Sequence, residues 1–236
     1  MILRRVVYMG QNYAVIVAAG RGSRIGGPLP KQFLKLDEDP IIIHTIKRFD
    51  LAKSIDHIIV VVADEYFNFM KYNILKEYKF TKPITLVRGA EERQDSVYNG
   101  LRALPKDTNI VSIHDGVRPF IDIELIDKSI SLAKEVGAVI VGVPVKDTIK
   151  KLDKDDNIQK TLSREVLWQA QTPQVFQYNL IMKAHVHADK DGFKGTDDSS
   201  LVERLGIDVK MVMGSYKNLK ITTGEDIYIA KSIILD

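Results

Sequence analysis

The sequence predicts a single α/β domain with a mostly parallel sheet covered by helices on both faces. Short apolar runs typical of buried strands alternate with longer segments whose apolar residues recur at helical spacing. With 236 residues, 45% of them hydrophobic and 28% charged, the chain is long enough for one large domain with a full core. Because ligands bind beyond the carboxyl ends of the strands in such sheets, the loops that follow the strands are the candidate sites.

The first strand runs into a loop that is rich in glycine and in cations. The stretch Val15 to Lys31 reads VIVAAGRGSRIGGPLPK. Its glycines let a ligand approach main-chain N–H groups and its cations attract anions, so it predicts a phosphate site. Neither common phosphate loop matches, because Ile25 replaces the third glycine of the dinucleotide fingerprint and Pro28 replaces the lysine of the nucleoside-triphosphatase loop. The alternative is a surface turn with solvated charges.

The next part of the chain repeats the alternation of strand and helix. Pro40 stands in the first turn of a helix, and Pro105 ends another helix that carries Val97 and Leu101. Between and after them, the apolar pattern predicts strands at His57–Ala63, Ile84–Val87 and Ile110–Ile113, and a helix at Glu65–Tyr78.

Asp115 follows the strand Ile110–Ile113 within the sequence HDGVRP. At the carboxyl end of a central strand, facing the cationic loop, a carboxylate is well placed to hold a divalent cation on a triphosphate. The alternative is that Asp115 caps a helix or closes a turn.

In the second half the alternation breaks at a polar hairpin. Two predicted strands, Val145–Leu152 and Ile158–Leu162, flank a charged tip, and a hairpin this polar cannot build its own core. We therefore expect it to pack against something, most simply a second copy of itself. The remaining predicted elements are helices at Glu124–Val136 and Tyr178–Asp189, a helix opened by Thr196 as N-cap, strands at Ala138–Val143, Val209–Met213 and Asn218–Thr222, and a last helix from Thr223 or Gly224.

Composition excludes several classes of protein. The net charge of +3 comes from 34 basic and 31 acidic residues that are mixed along the chain, which argues against a nucleic-acid surface. The absence of cysteine excludes disulfides and thiolate chemistry, and the five histidines show no metal-ligand spacing. No run approaches the ~20 apolar residues of a membrane helix. The start of the chain lacks the features of a signal peptide, so we expect a cytoplasmic protein.

Seven motifs together resemble one known family in order and spacing. They read AAGRGSRIGGPLPKQ, GAEERQDSV, HDGVRP, PVKDT, SREVLWQAQTPQ, GTDDSSLVE and NLKITTGED, and they extend from about Tyr13 to the end of the chain. The sequence resembles the 2-C-methyl-D-erythritol 4-phosphate cytidylyltransferases of non-mevalonate isoprenoid biosynthesis. Members join CTP to 2-C-methyl-D-erythritol 4-phosphate, giving 4-diphosphocytidyl-2-C-methyl-D-erythritol and pyrophosphate, with Mg²⁺ and no covalent intermediate.

The resemblance also implies an architecture. It predicts a Rossmann-like nucleotidyltransferase domain at 13–236 with a twisted, mostly parallel mixed sheet. A protruding β-hairpin arm at 144–168 would join two copies into a homodimer, and residues 1–12 would form an N-terminal extension.

The same resemblance assigns roles to individual residues. The catalytic cations would be Arg24, Lys31, Arg164 and Lys220. CTP would be bound by Ala18, Ala19, Gly20, Gly22, Gly89, Ala90, Glu91, Ser96 and Asp115. The acceptor would be bound by Asp115, Arg118, Thr148, Arg164, Thr172, Thr196 and Lys220, and Asp115 would also be the metal ligand. The family pattern often has Gly-Asp at Ala90-Glu91 and Ala-Ala at Gly116-Val117.

The chemistry agrees with these roles. Attack of one phosphate on another brings two anions together, so the barrier is chiefly electrostatic and positional, and cations rather than a nucleophile are required. Three alternatives stay open. The sister family of ribitol 5-phosphate cytidylyltransferases shares several motifs, although the segment TDDSSLVE favours the methylerythritol family. A non-catalytic CTP-binding protein would not need cations around an acceptor, and an NAD-dependent dehydrogenase is disfavoured by Ile25.

Overall fold

The computed structural model describes residues 10–20 and 29–235. The strands, in chain order, are β1 Tyr13–Ala18, β2 Lys35–Leu36, β3 Asp39–Pro40, β4 His57–Val62, β5 Ile84–Arg88, β6 Ile110–Asp115, β7 Ala138–Pro144, β8 Lys150–Leu152, β9 Ile158–Thr161, β10 Trp168–Gln177 and β11 Lys210–Met213. The α-helices are α1 Ile41–Leu51, α2 Phe67–Phe69, α3 Arg93–Arg102, α4 Ile123–Val136, α5 Tyr178–Lys190, α6 Asp198–Glu203 and α7 Gly224–Leu235. None of these helices has the length and apolar character needed to cross a membrane.

A seven-stranded sheet forms the centre of the protein, with the strand order β11-β7-β10-β6-β1-β4-β5. β1 pairs in parallel with β4 and β6, β4 pairs in parallel with β5, and β11 pairs in parallel with β7. β10 is antiparallel to both of its neighbours, β6 and β7. The predicted α/β class with a mostly parallel, mixed sheet is therefore confirmed.

The core lies on both faces of β1, as the apolar run of that strand predicts. Ala14 and Ile16 face a cluster that includes Ile42 and Phe49 of α1, whereas Val15 faces a cluster that includes Val97 of α3. Burial on both faces is typical of a central parallel strand. The carboxyl end of β1 is thus held rigidly where its loop begins.

β10 is an element that the sequence did not predict. It reads WQAQTPQVFQ, without the apolar alternation of a strand, and it contains a proline. Its buried polar side chains are hydrogen-bonded instead: Gln174 donates to Asp197 Oδ2 at 2.7 Å and accepts from the N–H of Ser199 at 2.9 Å. Specific polar partners therefore replace the apolar pattern that strand prediction relies on.

Four further expectations were wrong in detail. Residues 64–77 form successive 3₁₀, α and π turns rather than one regular helix. The hairpin strands are limited to β8 and β9, and Asn218–Thr222 is not a strand. The N-cap of α6 is Asp197 and not Thr196, because the Asp197 carboxylate accepts from the N–H of Ser200 at 3.0 Å.

The chain contacts the domain before β1 begins. The N–H of Asn12 donates to Asp56 Oδ2 and its Nδ2 donates to the carbonyl of Ser54, both at 2.8 Å. Of the predicted extension at 1–12, residues 1–9 lie outside the described part of the chain.

Candidate active site

A cavity of about 220 Å³ lies at the carboxyl ends of β1 and β6, where the fold predicts a ligand site. The start of α3, the loop before it and Lys220 complete its wall. Its lining residues are Val17, Ala18, Ala19, Gly20, Lys31, Gln32, Ala90, Glu91, Arg93, Ser96, Asp115, Val117 and Lys220.

Small residues and a buried glutamine shape the wall next to β1. Gln32 is buried, and its Nε2 donates to the carbonyls of Ala18 at 2.7 Å and Gly20 at 3.0 Å. These two hydrogen bonds fix the main chain where β1 ends. At Gly89 a Cβ atom would lie 2.5 Å from the Cβ of Ala19, so only glycine permits this approach.

Ser96 braces the loop that leads into α3. Its hydroxyl accepts from the N–H of Ala90 at 2.9 Å and donates to the carbonyl of Ala90 at 3.1 Å. The loop therefore presents Ala90 and Glu91 to the cavity in a fixed conformation.

Asp115 stands at the end of β6 among three cations. Lys220 Nζ lies 2.9 Å from Oδ2, Arg93 Nε lies 3.1 Å from Oδ1, and Arg118 Nε lies 3.7 Å from Oδ2. Burial alone would raise the pKa of Asp115, but the charges of Arg93, Lys220 and Arg118 outweigh it and hold the pKa well below its ordinary value. The carboxylate is therefore ionised at neutral pH.

Arg93 is a site residue that the sequence reasoning missed. Besides contacting Asp115, it donates through Nη1 to Asp198 Oδ2 at 2.9 Å, and the Asp198 side chain is only 1% exposed. One guanidinium thus joins the end of β6 to the start of α6. Arg93 stands in the first turn of α3, where a cation is unfavourable against the helix dipole, and that placement was the available signal.

This bridge carries a stability prediction. We expect Arg93→Gln to lower the free energy of unfolding by roughly 3 kcal/mol, because removing one partner of a buried pair leaves the other charge unpaired. Lys194→Gln, which breaks the exposed pair of Lys194 and Asp95, should cost less than about 1 kcal/mol. Urea denaturation measures both values, and equal losses would contradict the buried bridge.

A chain of hydrogen bonds supports Asp115 from behind. The Asp115 N–H donates to Thr172 Oγ1 at 3.1 Å, and Thr172 Oγ1 lies 3.0 Å from His114 Nδ1. Burial lowers the pKa of His114 to about 4, so the ring is neutral. Nε2 lies 3.1 Å from the carbonyl of Arg118, which assigns the proton to Nε2 and makes Nδ1 the acceptor of the Thr172 hydroxyl.

The predicted site residues fall into four groups. Those that line the cavity are Ala18, Ala19, Gly20, Lys31, Ala90, Glu91, Ser96, Asp115 and Lys220. Those that contact lining residues from behind are Gly89, Arg118 and Thr172. Thr148, Arg164 and Thr196 are exposed and are not among the lining residues. Gly22 and Arg24 lie outside the described residues.

The donors fit a hard divalent cation only in combination with a ligand's own oxygens. No group of three or more His, Cys, Asp or Glu side chains that could hold a metal occurs within 10–20 and 29–235. Asp115 offers one ionised carboxylate on the cavity wall. Mg²⁺ commonly binds through one or two carboxylates together with substrate phosphates, so this donor set suits a metal that arrives with a nucleotide.

Comparison with known proteins gives one consistent family. The model of the 2-C-methyl-D-erythritol 4-phosphate cytidylyltransferase family (IspD) matches residues 13–236. A protein of that name from Clostridioides difficile is 52% identical over 220 residues, covering 93% of this chain and 92% of the relative. One from Caldanaerobacter subterraneus is 50% identical over 218 residues, covering 92% of this chain and 96% of the relative.

Solved structures agree with the sequence match. The crystal structure of 4-diphosphocytidyl-2C-methyl-D-erythritol synthase from Anaerococcus prevotii superposes with a TM-score of 0.82 at 35% identity, covering 96% of this chain and 97% of that one. The Francisella tularensis 2-C-methyl-D-erythritol 4-phosphate cytidylyltransferase gives a TM-score of 0.80 at 32% identity, covering 94% and 99%. The chain therefore belongs to the 2-C-methyl-D-erythritol 4-phosphate cytidylyltransferase family.

Proposed function

We propose that the chain transfers the cytidylyl group of CTP to 2-C-methyl-D-erythritol 4-phosphate and releases pyrophosphate. The observation that carries the proposal is the cavity at the ends of β1 and β6, whose lining includes the cations Lys31, Arg93 and Lys220. The ionised carboxylate of Asp115 lies on the same wall, in contact with Arg93 and Lys220. A site of this charge suits two anionic phosphates that must approach each other.

In the proposed reaction an oxygen of the acceptor phosphate attacks the α-phosphorus of CTP as the bond to pyrophosphate breaks. Negative charge then accumulates on the phosphates, and fixed cations stabilise it without any covalent intermediate. We assign Lys31, which lines the cavity, and Arg24 to the triphosphate, as the family resemblance implies. We assign Lys220, which lies 2.9 Å from Asp115, to the acceptor phosphate.

We further propose that Mg²⁺ accompanies CTP and that Asp115 holds it. The bound ion would supply positive charge to the triphosphate. The chain's own part is to keep Asp115 ionised, which the charges of Arg93, Lys220 and Arg118 achieve.

The proposed reaction is tested by pyrophosphate release with two acceptors in parallel. We expect turnover with CTP and 2-C-methyl-D-erythritol 4-phosphate that depends on a divalent cation and is abolished by a chelator. No turnover with that acceptor, together with turnover on ribitol 5-phosphate, would assign the chain to the sister activity instead.

We also propose the arm at 144–168, inserted in the domain at 13–236, as the contact of a homodimer. Both strands of the arm are exposed along their whole length, and apolar side chains on it lie uncovered, Val166 with 78% of its surface exposed. Leu152, Ile158 and Trp168 add to this uncovered surface. A second copy of the arm would cover it.

The arm also carries two of the predicted acceptor residues away from their own cavity. Thr148 and Arg164 do not line it, and Arg164 donates through Nη1 to the carbonyl of Lys146 at the base of the arm at 2.8 Å. We therefore propose that Thr148 and Arg164 serve the site of the partner subunit.

Subunit mixing tests this arrangement. Lys31→Ala and Arg164→Ala should each be inactive alone. If Arg164 acts on the partner's site, a mixed dimer has one site with both changes and one site with neither, and about a quarter of the unmodified activity should return after exchange. A mixture that stays inactive would contradict the proposal.

The matched control mixes Lys31→Ala with Lys220→Ala. Lys220 lies 2.9 Å from Asp115 of its own subunit, so every site in this mixture keeps one change and activity should not return.

A further inference from the structure

We infer that Asn218 is a positioning residue that holds Lys220 and Arg118 against Asp115. The inference rests on the proposed function, because it concerns the cations of that site. Asn218 itself does not line the cavity; it acts through the residues it fixes.

The segment that carries Lys220 has no strand or helix of its own to place it. Residues 214–223, between β11 and α7, form turns and irregular chain. A lysine on such a segment keeps a fixed position only if the neighbouring residues are anchored. Ile221 supplies one anchor, since its N–H donates to the carbonyl of Val117 at 2.9 Å.

Asn218 supplies the second anchor, two residues before Lys220. Its side chain is fully buried, and Nδ2 donates to the carbonyl of Thr172 at 2.9 Å and to Gln171 Oε1 at 3.2 Å. Both acceptors belong to β10, so the amide ties the irregular segment to the central sheet. An apolar side chain of similar size would fill the space but would leave these acceptors without their donor.

The main chain of Asn218 fixes a second cation. Its carbonyl accepts from Arg118 Nη1 at 2.8 Å, and the same guanidinium lies 3.7 Å from Asp115 through Nε. The Arg118 side chain is only 11% exposed. Asn218 therefore sets the direction in which this buried guanidinium faces Asp115.

The contacts close into a ring around the carboxylate. Thr172, whose carbonyl accepts from Asn218, uses its hydroxyl to accept from the N–H of Asp115 at 3.1 Å. Lys220, two residues beyond Asn218, completes the ring at 2.9 Å from Asp115 Oδ2. A shift of Asn218 would thus move Lys220 and Arg118 relative to Asp115, whereas Lys31 and Gln32 lie on a separate turn.

The expected effect is on the chemical step and not on CTP binding. We expect Asn218→Ala to lower kcat on the order of a hundredfold, the cost of a displacement of about 1 Å in a site of this kind. The affinity for Mg·CTP should change less than about threefold, since Lys31 and Gln32 lie on a separate turn. Equilibrium binding of CTP and steady-state rates give the two values separately.

Asn12 offers a matched control at the other end of β1, before the strand begins. It too is a buried asparagine whose Nδ2 donates to a main-chain carbonyl, that of Ser54 at 2.8 Å, but it precedes β1 whereas the cavity lies beyond the end of that strand. Asn12→Ala should lower the melting temperature as Asn218→Ala does and leave kcat within about twofold of the unmodified value.

A double-mutant cycle with Lys220→Ala is the decisive experiment. If Asn218 acts through Lys220, Asn218→Ala should lower kcat much less in the Lys220→Ala background than in the unmodified chain, because residues that act as a unit are not additive. Asn12→Ala should have the same small effect in both backgrounds. Additive losses for Asn218 and Lys220 would overturn the inference.

The unmodified chain is assayed first, so that two failures can be told apart. No turnover by it on 2-C-methyl-D-erythritol 4-phosphate would refute the proposed function and the inference with it. With turnover established, an Asn218→Ala protein that is folded and fully active would refute the inference alone. Asn218→Asp, which keeps the size but replaces the donor by an acceptor, is made alongside; if both variants are unfolded while Asn12→Ala is folded, Asn218 serves the fold and the inference is wrong.

Discussion

The Lys31→Ala variant is expected to lose at least about a hundredfold in kcat while keeping its fold, because in the proposed reaction the ammonium of Lys31 meets charge that develops in the transition state. Lys31 lies on a short 3₁₀ turn with Gln32, and both residues are buried and line the cavity. Steady-state kinetics with CTP and 2-C-methyl-D-erythritol 4-phosphate measures the loss, and circular dichroism verifies the fold.

Lys35→Ala is the control, since Lys35 is exposed on β2, four residues further along the chain. It should keep its activity within about twofold, as surface substitutions usually do. A loss in Lys31→Ala confined to KM would show instead that Lys31 binds ground state and transition state equally, and its assignment as a catalytic cation would then be wrong.

Asp115→Asn is expected to lower kcat on the order of a thousandfold, because it removes the carboxylate that Lys220, Arg93 and Arg118 share. The amide keeps the shape but not the charge that holds Lys220 at 2.9 Å and Arg93 at 3.1 Å. It also removes the proposed ligand of Mg²⁺. The dependence of the residual rate on Mg²⁺ concentration should therefore shift to higher concentrations.

Asp198→Asn distinguishes whether the loss in Asp115→Asn comes from Arg93 or from Lys220 and the metal. Asp198 shares Arg93 with Asp115 but does not line the cavity, so its replacement disturbs Arg93 and leaves the anchor of Lys220 in place. We expect it to cost less than about a tenth of the factor lost in Asp115→Asn. Equal losses would mean that Arg93, and not Lys220 or the metal, carries the effect of Asp115.

Hydrophobic periodicity accounts for the parts of the fold that could be predicted. The strands β1, β4, β6 and β7 and the helices α1, α3, α4 and α5 follow their apolar patterns, since each buries a continuous run or a single face. β5 follows its pattern with partly buried side chains that pack against the core. β10 could not be predicted in this way, because residues such as Gln171, Thr172 and Gln174 are buried through hydrogen bonds. Such partners lie far away in sequence and are visible only in the folded chain.

The residues of the site also divide into those that the sequence could place and those that it could not. The carboxyl end of β6 and the cationic loop after β1 follow from strand order, so Asp115 and Lys31 could be placed from the sequence. Arg93 was missed, because it stands in a charged stretch that reads as a solvated helix start, and its two acidic partners are 22 and 105 residues away. Asn218 was missed for the same reason, since the acceptors of its side-chain amide lie 46 and 47 residues away.

Phosphorus NMR of a single reaction mixture tests the central claim, that the chain directs CTP to an acceptor phosphate. With CTP, Mg²⁺ and 2-C-methyl-D-erythritol 4-phosphate, we predict that the signals of the triphosphate and the monoester disappear together. Two coupled signals of a new diphosphate ester and the signal of free pyrophosphate should replace them in equal amounts. Formation of CMP with the acceptor unchanged, or an unchanged spectrum, would contradict the account.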